Sequence, residues 1–75
     1  MAKKTPKGRV NNRIRELRNE AGLTQAALAL SVGATRQTIV AIEQGKYAPS
    51  LELAFRIVRA FNEDFEAVFQ FDPLG

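Results

Sequence analysis

The chain has 75 residues, 45% of them hydrophobic, with five phenylalanines, no cysteine and no histidine. One small domain fits that length, and apolar packing must hold it, because neither disulfides nor a Cys/His metal site can help. The same two absences remove the usual metal ligands and the commonest general base, and no apolar run approaches the length of a membrane span or a signal-peptide core. A soluble, cytoplasmic protein without cofactor is expected.

Charge is unevenly placed. From Met1 to Lys46 nine Lys/Arg face three Asp/Glu, a balance of +6, whereas residues 47–75 carry two against five, a balance of −3. Such asymmetry suits a chain that turns one end toward a polyanion and the other away from it.

Residues 1–9, with Lys3, Lys4 and Lys7 beside Pro6 and Gly8, show no apolar periodicity and are expected to form a flexible basic arm. From Asn12 the pattern becomes helical, with Ile14, Leu17 and Ala21 on one face; Asn11 and Asn12 are both candidate caps, and Gly22 ends the element. Glu16 and Glu20 share a face of this helix, but Arg13 and Arg15 interleave with them, which makes a solvated charged surface and no catalytic pair. Thr24 then caps a second helix, residues 25–32, burying Ala27, Leu28 and Val32 and leaving Ala26 and Ala29 small enough for close helix approach. Gly33 stops it. Thr35 opens a third helix, residues 36–43, with Ile39 and Ile42 inward, and Gln44-Gly45 closes that one.

After the proline-marked loop 46–49, Ser50 caps a fourth helix running to about Phe61, with Leu51, Leu53, Ala54, Ile57, Val58 and Phe61 apolar. Asp64 heads a short fifth helix ending at Val68 or Phe69, and the segment after it is β-prone enough for a short terminal strand. The fold expected is all-α, five short helices, with residues 10–71 as the domain and 72–75 as a tail. Phe61, Phe65 and Phe69 recur at spacings of four, on one side over the fourth helix. With Val68 and Phe71 they make an apolar end, and Phe65, Val68, Phe69 and Phe71 are the expected contacts of a symmetric dimer.

Helices two and three, joined by a short glycine turn, match the helix-turn-helix unit. The first turn of the third helix reads Thr35-Arg36-Gln37-Thr38. Arg and Gln carry the paired donors and acceptors that match guanine and adenine edges in a major groove, and Thr offers a hydroxyl and a methyl. A helix N-terminus also presents unpaired amides to phosphate.

The run Gly22-Leu23-Thr24-Gln25, Leu28-Ala29, Gly33, Arg36-Gln37-Thr38-Ile39, Ile42-Glu43, Gly45-Lys46 and Pro49-Ser50-Leu51 resembles the Cro/phage-repressor, or XRE-type, helix-turn-helix family over residues 12–71. The resemblance implies a lambda-repressor-like domain that binds double-stranded DNA as a homodimer and regulates transcription, most simply as a repressor. Arg36, Gln37 and Thr38 fall at the family's base-reading positions. Ala41 stands where some members carry a longer reader, so it offers a base only a methyl. Gln25, Gln44, Lys46 and Tyr47 fall at phosphate-contacting positions, with Thr35 beside them. Gln25 is also expected to brace the third helix, and Arg18 and Glu43 match a structural ion pair between the first and third. The rival reading is a protein-binding module on the same fold, such as an antitoxin holding an unidentified protein partner.

Overall fold

Side-chain caps decide where the helices begin. In the computed structural model, which describes residues 8–74, the order is β1 (Arg9–Asn12), α1 (Ile14–Glu20), α2 (Gln25–Val32), α3 (Arg36–Glu43), α4 (Leu51–Phe61), α5 (Phe65–Val68) and β2 (Phe69–Asp72). Thr24, Thr35 and Ser50 each accept a hydrogen bond from the backbone N–H three residues on, at 3.0, 3.1 and 3.1 Å. This satisfies amides that the helix itself cannot pair. Gly33 ends α2 in the left-handed conformation, φ 74°, and a Cβ there would meet the Arg56 guanidinium at 3.1 Å. That residue lets the chain reverse within three positions and start α3. At the end of α4 the same left-handed role falls to Asn62, φ 54°, the commonest substitute for glycine at a helix C-terminus.

The buried residues form one cluster: Ile14 and Leu17 from α1, Leu28, Ala29 and Val32 from α2, Ile39 and Ile42 from α3, Ala54, Ile57 and Val58 from α4, and Val68 and Phe69 at the end. α2 packs on both α3 and α4, so the helix-turn-helix pair is seated on the fourth helix. On α2 the buried alanine is Ala29, whereas Ala27 lies exposed. Leu51, at the start of α4, is exposed as well.

The five expected helices are present, but a small two-stranded sheet makes the all-α expectation only approximate. β1 and β2 pair antiparallel in the register Arg9↔Asp72, Val10↔Phe71, Asn11↔Gln70 and Asn12↔Phe69. Arg9, placed at the end of the basic arm, therefore opens a strand, and Asp72, placed in the tail, ends one; residues 1–7 and Gly75 lie outside the described residues. The Arg13 amide continues the connection by donating to the Val68 carbonyl at 2.9 Å. α1 starts at Ile14, two residues later than an Asn11 cap implies and one later than an Asn12 cap does. Asn12 nevertheless serves the helix start, because its Oδ1 accepts the Ile14 amide at 3.1 Å. Among the described residues no helix is long and apolar enough to cross a membrane.

Candidate nucleic-acid interface

The first turn of α3 stands on the surface, with Arg36 and Gln37 both exposed. Thr38 is half-buried, and its hydroxyl lies 3.0 Å from that of Thr35. The two threonines thus close the cap on each other, while Arg36 and Gln37 extend outward. Ala41, further along, is half-buried. Gln44, Lys46 and Tyr47 follow the helix as an exposed segment. The α3 end is closed by the Lys46 amide donating to the Ala41 carbonyl, 2.9 Å.

What holds α3 at its other end is a single carboxylate. The Glu43 side chain is 0% exposed and Arg18, from α1, is 12% exposed. Arg18 grips it with two hydrogen bonds, Nε to Oε2 at 2.8 Å and Nη2 to Oε1 at 3.3 Å. Gln25, the first residue of α2, donates to Oε1 through Nε2 at 3.2 Å. One acidic group therefore joins α1, α2 and α3, and Arg18 also ties the α1–α2 turn through the Leu23 carbonyl at 2.9 Å. Burial pushes the Glu43 carboxyl up. Hydrogen bonds from Arg18 and Gln25, with the charges of Arg18 and Arg15, outweigh it and hold the carboxyl below its ordinary value. Arg18 is correspondingly raised, through its hydrogen bond to Glu43 and despite partial burial. A carboxylate in the last turn of a helix opposes the helix dipole, so these partners are needed to keep it charged there. The Gln25 amide is engaged inward as a brace, which takes up one of the donors expected on phosphate.

A second tether acts one residue earlier. Asn12 Nδ2 donates to the Ile42 carbonyl at 2.9 Å, fastening the C-terminal end of α3 to β1. Sequence reasoning treated Asn12 as a cap and missed this contact. It also missed Arg15, whose Nε sits 3.7 Å from Glu43 Oε1. The clue was its spacing of three from Arg18, which puts both on one side of α1.

The apolar end divides. Val68 is 0% exposed and Phe69 5%, both inside the monomer core, so neither offers its side chain to a second copy as expected. β2, too, finds a partner within the chain, along β1. Phe65 and Phe71 do reach the surface, together with Val10 and with Phe55, which had not been singled out. The rings of Phe55 and Phe65 lie 5.4 Å apart, and those of Phe65 and Phe69 5.2 Å. An open groove of about 480 Å3 runs between Val10, Phe65, Phe69 and Phe71.

The Helix-turn-helix family model matches residues 14–68. An uncharacterized HTH-type transcriptional regulator of Methanothermobacter thermautotrophicus is 57% identical over 63 residues, spanning 83% of this chain and 91% of that protein. One from Archaeoglobus fulgidus is 52% identical over 63 residues, covering 84% of this chain and 90% of its own length. Among solved structures, the restriction-modification controller protein C.AhdI of Aeromonas hydrophila superposes with a TM-score of 0.68 at 30% identity, over 72% of this chain and 82% of that one. A buried core of five short helices, with the first turn of α3 exposed after the glycine turn that ends α2, defines a helix-turn-helix domain. The chain belongs to the helix-turn-helix family of the Cro/C1, or XRE, type.

Proposed function

We propose that this protein binds double-stranded DNA through α3 and regulates transcription, acting as a repressor by occupying its operator. The observation that carries this reading is the contrast within α3. Its first turn is exposed, whereas its last turn is fixed from three directions by Arg18, Gln25 and Asn12. A helix held so firmly at one end presents its other end in a fixed orientation, as insertion of the first turn into a major groove requires.

Arg36 and Gln37 are the base readers in this assignment, with the Thr38 and Ala41 methyls beside them. Thr35, Gln44, Lys46 and Tyr47 contact the flanking phosphates, and Gln25 does so with what its brace leaves free. The protein acts as a dimer in which Phe65 and Phe71 meet their counterparts, placing two recognition helices on half-sites about one helical turn apart.

Selection of bound fragments from random duplex DNA at near-physiological salt tests this. The expected product is a palindromic motif; recovery of no motif above background would refute the reading. On the selected site, Gln37→Ala should lose about 1–3 kcal/mol of discrimination at one base position. An unchanged base preference would remove Gln37 from the readers. Lys46→Ala should weaken all sequences equally and lower the salt slope by about one unit.

A further inference from the structure

Around Glu43 the charges do not balance. Arg18, two-handed and almost buried, already neutralises the carboxylate. Arg15 brings a second guanidinium to within 3.7 Å, yet its side chain is 65% exposed. Among the described residues it makes no other ion pair. The cluster therefore keeps one surplus positive charge on the α1 side of the end of α3.

β1 supplies a second positive charge at the same end of α3. Arg9, Asn11 and Asn12 line an open cleft of about 270 Å3 with Glu43, Gln44 and Gly45. Asn12 is committed to the Ile42 carbonyl and the Ile14 amide. Arg9 and Asn11 are exposed and stand two apart on the strand, which puts their side chains on the same face. Arg9 forms no ion pair among the described residues, although Asp72 is its register partner.

We infer that Arg9, Asn11 and Arg15 form a phosphate-binding site at the C-terminal end of α3, gripping the DNA backbone beyond the reach of the recognition turn. The inference rests on α3 being the DNA-reading helix. A guanidinium matches two phosphate oxygens with a planar fork, and the Asn11 amide adds a neutral donor. The exposed Gln44 and Lys46 lie next along the chain and extend the same track. Electrostatics makes the arginines necessary here. The C-terminal end of a helix carries partial negative charge, so without them this edge would repel a phosphate.

The test compares wild type with Arg9→Gln, Arg15→Gln and the double variant, each with its unfolding midpoint recorded. Binding is measured against salt on the selected operator and on an unrelated duplex. Each substitution should lower the slope of log K against log salt by about 0.9. Both duplexes should lose affinity by the same factor, with base preference unchanged. A double variant that folds and keeps the wild-type slope, while Lys46→Ala lowers it, would overturn the site and leave the DNA-binding reading standing. Wild-type protein that binds neither duplex would overturn both. Arg9→Gln gives the cleaner result of the two, since Arg9 takes no part in holding Glu43.

Discussion

Replacing Glu43 with alanine is expected to cost about 3–5 kcal/mol of folding stability, because it strips a nearly buried guanidinium of its counter-charge. Arg18 is 12% exposed and donates two of its hydrogen bonds to that carboxylate. With the carboxylate gone, its remaining strong partner is the Leu23 carbonyl. The Gln25 amide loses its acceptor as well, and three helices lose their common point. Chemical unfolding at neutral pH measures the effect; a loss below about 1 kcal/mol would show that the junction does not anchor the fold. The acid limb gives a second reading. Because folding lowers the Glu43 pKa, its contribution is complete above the ordinary value of 4.5 and fades as pH falls through the lowered one. Glu43→Gln, which keeps the volume and removes the charge, should be less stable than wild type at neutral pH. The difference should narrow as pH drops below 4.5. A gap that stays constant down to strong acid would place the acid sensitivity elsewhere.

Phe69→Ala should be nearly as severe, at about 3–5 kcal/mol. Its ring is almost wholly enclosed, beside Phe65 and at the register position opposite Asn12, and truncation leaves a cavity next to Ile42 and Val68 in the core. Phe71→Ala, at a ring 64% exposed, should stay within roughly 0.5 kcal/mol in the monomer. Unfolding at two protein concentrations distinguishes the roles. The Phe69 loss should be independent of concentration, whereas a Phe71 effect should appear as a weakened dimer. If the Phe69 variant were fully stable at low concentration, Phe69 would belong to the dimer contact after all.

The helices of the recognition unit were legible because their signals are local. Thr24, Thr35 and Ser50 mark starts, and Gly33 marks a stop, through bonds made within three or four residues. The inward face of α2 was less so. Ala26, Ala27 and Leu30 are apolar yet exposed, so the helix has little contrast between its sides, and the pattern points to Ala27 where Ala29 is the buried residue. β1 had no local signal at all. Arg9-Val10-Asn11-Asn12 contains one apolar residue and two asparagines, a type depleted in strands, and it is extended only because Phe69–Asp72 lies alongside. The phenylalanine spacing was correct in direction. α5 ends at Val68, however, so Phe69 begins a strand and turns inward. Within the site, Arg36 and Gln37 could be placed from the cap and the turn alone. The Asn12 contact could not, since it crosses to α3 from a strand that has no local signal, and Arg15 was marked only by its spacing of three from Arg18.

The β1–β2 pair has a consequence for the order in which the protein acquires its shape. It joins residues 9–12 to residues 69–72, nearly the whole described chain apart, and closing so long a loop is slow compared with forming helices from near neighbours. During synthesis α1 to α4 emerge while β1 is still waiting for its partner. Asn12, the residue that clips the end of α3, sits in that waiting strand. Arg18 and Gln25 hold Glu43 from α1 and α2 without the strands, so what the late pairing adds to the end of α3 is the Asn12 clip.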